Sequence, residues 1–164
     1  MNESVSRELL QRLGALLQAR HMQVVTAESC TGGGVAERMT SYPGSSHWFE
    51  RGFVTYSNAA KREQLDVPAA VLERFGAVSE ETAAAMAEGA LAHSHGQISV
   101  AVTGIAGPEG GSADKPVGTV CFAWSTATGG TRTARVLFDG DRARVREQSV
   151  LMAIQGLLDL LEAA

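Results

Sequence analysis

The sequence predicts an α/β fold: a single three-layer domain in which a mixed β-sheet carries helices on both faces. Three observations predict it. Segments with helical apolar spacing stand at both ends of the chain and between β-like runs, in the order α-β-α-β-α-α-α-β-β-β-α. The run Ile98–Val102 reads as a fully buried strand, the kind a two-sided sheet needs. The chain has 164 residues, enough for one domain with a sizeable core, and no repeat, linker or low-complexity tail divides it, so residues 1–164 are expected to form one unit.

Each element has a local reason. Leu9, Leu13 and Leu16, with Leu10 and Leu17, recur at helical spacing over residues 4–20. Met22–Ala27 leans toward β and is the first strand. Ser29–Gly34 turns the chain, Val35–Thr40 is a short helix, and Tyr42-Pro43-Gly44-Ser45 ends it. Trp48–Tyr56 is aromatic and β-branched and is the second strand. Asn58–Leu65 is a short helix that Ser57 or Asn58 can cap. Pro68 suits the first turn of another helix reaching Phe75, and Gly76 stops it. Ser79 caps an alanine-rich helix running to about Ser94, with Glu80 and Glu81 where the helix dipole favours acids. After Ile98–Val102 come two more strands, Val117–Ser125 and Thr131–Phe138, joined by Ala127-Thr128-Gly129-Gly130 as a hairpin. Asp141 can cap the last helix, whose apolar face holds Val150, Ile154, Leu157, Leu158 and Leu161.

Composition excludes several functions. Fourteen basic residues against eighteen acidic give a net charge of −4, which argues against a non-specific nucleic-acid surface. Cys30 and Cys121 lie far apart without CxxC spacing, so neither a disulfide scaffold nor a zinc ribbon is expected. No run of eighteen apolar residues predicts a membrane span, and the first residues lack the pattern of a secretory leader. The expected compartment is the cytoplasm.

Chemistry concentrates in three segments. Ser29 stands in Glu28-Ser29-Cys30-Thr31-Gly32-Gly33-Gly34, between a strand and a helix start. Amides at such a start favour negative charge and can hold a phosphate or the oxyanion of a tetrahedral intermediate; a plain serine cap on a tight turn is the alternative. The spacing is neither the G-x-S-x-G elbow nor a Walker loop, and it lacks the dinucleotide fingerprint. Cys30 is a rival nucleophile or a small buried hydrophobe. Lys61 follows in Val54-Thr55-Tyr56-Ser57-Asn58-Ala59-Ala60-Lys61. A lysine there is either a solvated surface group or a general base whose pKa is lowered from about 10.4 by desolvation. Tyr56 can relay the proton or hold the serine hydroxyl, or it is a surface aromatic. His21, His47, His93 and His95 have no acid partner at useful spacing. The third segment, Thr103-Gly104-Ile105-Ala106-Gly107-Pro108-Glu109-Gly110-Gly111-Ser112, follows a strand, where ligands of α/β sheets often bind and glycine amides can form an anion nest; a plain flexible loop is the alternative. Arg142, Arg144 and Arg146 open the last helix against its dipole. Arg142 suits either a ligand phosphate or a salt bridge to Asp141 or Glu147.

At these residues the chain resembles the nicotinamide-nucleotide amidases, the C-terminal domain family of the competence/damage-inducible protein CinA. The resemblance spans essentially the whole chain. Its motifs are Ala27–Gly33, Gly52–Lys61, Gly104–Gly111 continued by Lys115-Pro116-Val117-Gly118-Thr119-Val120, and Phe138–Arg142. It implies the stand-alone form and hydrolysis of the carboxamide of nicotinamide mononucleotide to nicotinic acid mononucleotide and ammonia. It implies Ser29 as nucleophile, Lys61 as general base and Tyr56 as assisting hydroxyl. The oxyanion side is expected from Cys30, Thr31, Gly32 and Gly33. Substrate contacts are expected from Asn58, Thr103, Gly104, Ala106, Gly107, Gly110, Gly111 and Arg142. No metal or other cofactor is required. The expected partner is a small nucleotide substrate, with no nucleic acid and no membrane, and the family resemblance suggests a homodimer. Lys115 is the substitute base if Lys61 points to solvent. An amidase for another small amide, a catalytically silent nucleotide-binding regulatory domain and a phosphate-transfer enzyme are the competing readings.

Overall fold

Five strands, β1 (Val24–Glu28), β2 (Phe49–Val54), β3 (Ile98–Gly104), β4 (Thr119–Thr126) and β5 (Thr131–Leu137), form one sheet in the order β2-β1-β3-β4-β5. The structure, a computed structural model, describes residues 3–163. Residues 1, 2 and 164, the ends of the expected 1–164 domain, lie outside the described residues. β1 pairs in parallel with both β2 and β3, whereas β3–β4 and β4–β5 are antiparallel, so the sheet is mixed as expected. The hairpin closes with Ser125 opposite Thr131.

The helices are α1 (Glu3–Ala19), α2 (Gly34–Thr40), α3 (Asn58–Leu65), α4 (Ala69–Phe75), α5 (Glu80–Ala92) and α6 (Arg142–Ala163), with a 3₁₀ turn at Ser45–His47. Each predicted element is present, with ends shifted by a few residues. Pro68 precedes α4 as its N-cap instead of entering its first turn, and α5 ends at Ala92. The caps are the local reasons for the boundaries. Ser57 accepts from the Ala60 amide at 3.0 Å, Ser79 from Thr82 at 3.1 Å and Asp141 from Arg144 at 2.9 Å. None of these helices is long and apolar enough to cross a membrane among the described residues.

The period of two along each strand splits the core. Val24, Val100, Val102 and Phe122 pack with α1, α2 and α6 through Leu13, Leu17, Met39, Ile154, Leu157 and Leu158. Val25, Ala27, Ala101, Cys121 and Ala123 pack with Leu65, Leu72, Met86 and Ala87 of α3–α5. Each fully buried leucine or isoleucine contributes about 1.5–3 kcal/mol relative to exposure. β1 and β3 are central and almost wholly buried, while the edge strands β2 and β5 are half-exposed.

This topology decides where chemistry gathers. β1, β2 and β3 run the same way, and the two antiparallel steps return β5 to that direction. Ser29 after β1, Thr55–Lys61 after β2, the 105–117 loop after β3 and the start of α6 after β5 therefore share one end of the sheet.

Candidate active site

Ser29 is buried at the tip of β1, and its amide donates to Val102 of β3 at 2.9 Å. The turn after it is tied from two sides. On one side is Glu28, buried at 1% exposure. Its Oε1 accepts from Thr31 Oγ1 at 2.6 Å and from the Val35 amide at 2.8 Å, and its Oε2 from the Ala36 amide at 3.1 Å. A carboxylate from the preceding strand thus caps α2 and complements its dipole. On the other side is Arg146 of α6, whose Nε donates to the Cys30 carbonyl at 3.2 Å and Nη2 to the Thr31 carbonyl at 3.1 Å.

The turn's amides are therefore unequal. Gly32 donates to the Ser29 carbonyl at 3.0 Å and Gly34 to the Thr31 carbonyl at 2.9 Å. The expected oxyanion role of the Gly32 amide is corrected by that bond, because a donor held inside the turn is not free for a ligand. Among the described residues, the Cys30, Thr31 and Gly33 amides make no hydrogen bond to another residue. Gly32 and Gly33 are needed for the backbone itself, with φ of 58° and 102°. The expected amide cluster at the start of α2 is closed by Glu28.

Lys61 is buried at 1% exposure, on the face of α3 that also carries Leu65. Its Nζ lies 3.1 Å from Ser29 Oγ, 3.1 Å from the Thr55 carbonyl and 2.9 Å from the Tyr56 carbonyl. No carboxylate pairs with it among the described residues. Burial pushes its pKa below the usual lysine range. The three neighbours suit both protonation states. An ammonium donates to all three oxygens; a neutral amine keeps two N–H bonds on the carbonyls and turns its lone pair to Ser29. The surface alternative for Lys61 is excluded by this burial.

Tyr56 takes part differently from expectation. Its carbonyl accepts from Lys61 and from Ser29 Oγ, the latter at 3.3 Å, but the residue is 60% exposed. The phenol hydroxyl accepts from Arg142 Nη2 at 3.3 Å. The relay reading is corrected in one respect: Lys61 touches Ser29 directly, and no tyrosine hydroxyl stands between them. Arg142 also donates to the Gly107 carbonyl at 2.9 Å, tying the third loop to the mouth of the site. It makes no ion pair among the described residues, and Glu147 pairs with Arg38 at 2.9 Å instead.

Other expected contacts are internal. Thr103 is buried and donates its hydroxyl to the Ala77 carbonyl at 2.8 Å, and Ala106 packs in the core, so neither side chain faces a ligand. A Cβ on Gly104 would stand 2.8 Å from the Thr119 carbonyl, so its glycine serves the β3–β4 approach. Gly107, Gly110 and Gly111 all have positive φ and shape the loop. Asn58 is exposed as the first residue of α3. Cys30 is buried, and burial pushes its thiol up to about 12, which removes it as a nucleophile at neutral pH. Lys115 is held by the Phe75 carbonyl at 2.6 Å. The sequence signal for Glu28 as a site residue is slight, an acid placed just before a glycine-rich helix start.

The family model described as CinA C-terminal domain matches residues 6–161. The chain is 54% identical over 154 residues to nicotinamide-nucleotide amidohydrolase PncC of Pseudomonas putida, across 93% of this chain and 94% of that one. It is 50% identical over 157 residues to the protein of the same name from Escherichia coli K12, across 96% and 95%. The crystal structure of a competence/damage inducible protein from Agrobacterium tumefaciens superposes with a TM-score of 0.92 at 45% identity, covering 94% of each chain.

Proposed function

The chain belongs to the CinA C-terminal domain family, and from that premise we propose that it is a nicotinamide-nucleotide amidase using a Ser29–Lys61 pair. The reaction converts nicotinamide mononucleotide and water to nicotinic acid mononucleotide and ammonia, in pyridine nucleotide recycling. The observation that carries the reading is the buried 3.1 Å contact between Lys61 Nζ and Ser29 Oγ, which joins a nucleophile to a base of lowered pKa. Near-full-length identity to relatives named for this reaction supports the substrate.

In the proposed mechanism neutral Lys61 takes the Ser29 proton as Oγ adds to the carboxamide carbon. The electron-poor pyridinium ring makes that carbon more electrophilic. The Cys30, Thr31 and Gly33 amides of the turn, which Gly32 does not join, are the donors for the oxyanion. Collapse breaks the C–N bond, the Lys61 ammonium gives its proton to the departing NH₂ group, which leaves as ammonia, and an ester on Ser29 remains. Water then adds by the same route and releases the acid. The proposal puts the ribose phosphate at Tyr56 and Arg142, where a hydroxyl and a guanidinium meet at 3.3 Å, and counts Asn58 and the Gly107–Gly111 loop as further substrate contacts. Phosphate binding positions the amide. Assembly as a homodimer and work in the cytoplasm belong to the same proposal. Light scattering at twice the chain mass supports the dimer, and the chain mass overturns it.

The test is ammonia release from nicotinamide mononucleotide by purified protein without added metal or ATP, beside Ser29→Ala. Release by the wild type and its loss in the variant support substrate and nucleophile together. Release retained by the variant overturns Ser29, and no release by the folded wild type overturns the substrate.

A further inference from the structure

We infer that Arg146 is a positioning residue for the oxyanion site, acting through the Cys30–Thr31 peptide; the inference rests on the acyl-transfer reading proposed above. Arg146 lies outside the Ser29–Lys61 contact, in the second turn of α6, yet its guanidinium reaches across to the nucleophile turn. Nε bonds the Cys30 carbonyl at 3.2 Å and Nη2 bonds the Thr31 carbonyl at 3.1 Å. Two donors of one rigid plane on two successive carbonyls fix both peptide planes, which a flexible ammonium does less well.

The chemistry follows from peptide geometry. In a trans peptide the C=O and the next N–H point in opposite directions. Holding the Cys30 carbonyl toward α6 therefore aims the Thr31 N–H away from α6. Holding the Thr31 carbonyl does the same for the Gly32 N–H, which closes the turn on the Ser29 carbonyl at 3.0 Å. That leaves the Thr31 N–H as the aimed donor without an acceptor from another residue. A cation on the carbonyl oxygen also polarises the peptide and strengthens its N–H as a donor. Glu28 holds the far side of the same turn through the Thr31 hydroxyl. Thr31 is thus fixed by a carboxylate at its side chain and a guanidinium at its carbonyl. Gly32 is required by the backbone, with φ of 58°, and a Cβ there would make only ordinary contact with Arg146 Nη2 at 3.5 Å.

The experiment compares wild type with Arg146→Met and Arg146→Lys by two readouts. The first is kcat and KM on nicotinamide mononucleotide. The second is the rate at which a fluorophosphonate modifies Ser29, followed by intact mass. In that step the Oγ–P bond forms, fluoride leaves, Lys61 takes the proton and the P=O oxygen occupies the oxyanion site. Arg146→Met is expected to lower kcat and the labelling rate together by about 10²–10³-fold, the usual cost of losing one oxyanion donor. KM should stay within about threefold, because the donor acts on the transition state. Arg146→Lys, which keeps the charge but not the fork, is expected in between, and it serves the test should the methionine variant not fold. A variant that melts lower yet keeps wild-type kcat and labelling makes Arg146 a clamp alone and overturns the inference. Labelling without turnover in the wild type overturns the substrate reading only, and the labelling rates of the variants then decide Arg146. Neither labelling nor turnover in folded wild type overturns both.

Discussion

Lys61 Nζ and Ser29 Oγ meet at 3.1 Å inside the protein although the residues stand 32 positions apart. The contact exists because β1 and β2 are parallel neighbours whose carboxyl ends open on the same side. Ser29 leaves one strand as the chain turns, and Lys61 returns to it from the first helix after the other.

Lys61→Met is expected to lower kcat/KM by about 10²–10⁴-fold, the range for loss of a positioned general base. Lys61→Arg should be as inactive, because a guanidinium does not lose its proton in this pH range. In the wild type the neutral amine is the active form. Its pKa lies below 10.5 because of burial, so the rate should rise with pH with its midpoint below that value. Steady-state rates across pH check this. An activity that shows no rise with pH anywhere below 10.5, or that is retained by either variant, would sink the base assignment.

The same burial links stability to pH. A lysine whose folded pKa is lowered binds its proton less well folded than unfolded. Between the lowered value and 10.5 the unfolded chain holds more protons, so wild-type stability rises with pH through that window. The penalty is full below the folded pKa and gone above 10.5. Thermal melts of wild type and Lys61→Met should therefore show the difference moving in favour of the wild type as pH rises from neutrality to 10. A difference that stays constant would contradict a buried, depressed amine.

Glu28→Gln should destabilise the fold by about 1–3 kcal/mol, the cost of a buried unsatisfied or opposed polar group. The amide oxygen can keep Thr31 and Val35, but the new NH₂ then faces the Ala36 N–H, donor against donor. Denaturant midpoints measure it; an unchanged midpoint would remove Glu28 as the cap of α2.

Cys30→Ala should keep turnover within about threefold, since the thiol is held protonated. Burial pushes the thiol up to about 12, far above neutral pH, so the thiolate is scarce. Iodoacetamide should accordingly leave activity intact over the time in which a free thiol reacts. Rapid inactivation, or an inactive alanine variant, would return Cys30 to the chemistry.

Much of this arrangement is legible in the sequence, for physical reasons that also mark where legibility stops. The elements show because their signals are local: Ser57 and Ser79 cap the helices they precede, and the leucines of α1 repeat at the helical period. Ser29 shows because a serine in a glycine-rich strand-to-helix turn is locally unusual. The state of Lys61 does not show, since the same short helix would serve a surface lysine; only packing against α5 and the β1 turn buries it. The place of the Tyr56 side chain does not show, because the strand ends at residue 54 and the hydroxyl then meets Arg142 while the carbonyl stays at Lys61. Glu28 and Arg146 act across gaps that no period marks, one over seven or eight residues and the other from α6.

Gly89 sets the burial of Lys61 from behind. A Cβ at Gly89 of α5 would stand 2.0 Å from the Leu65 carbonyl and 3.1 Å from its Cβ. Leu65 ends α3 one helical turn after Lys61, on the same face. Gly89→Ala must therefore push α3 away from α5, and the nearest atom is backbone, which has little room to yield. Stability should fall by about 1–3 kcal/mol, as for overpacked cores. Activity should fall further than that loss of folded protein explains, because displacing a reacting group by about 1 Å can cost on the order of 10²-fold. Gly130→Ala is the matched control, since nothing lies within 4 Å of a Cβ there. Thermal melts and kcat under conditions where both variants are fully folded separate the two effects. A Gly89→Ala protein that is destabilised yet turns over at the wild-type rate would show that the Ser29–Lys61 distance does not depend on the α3–α5 contact.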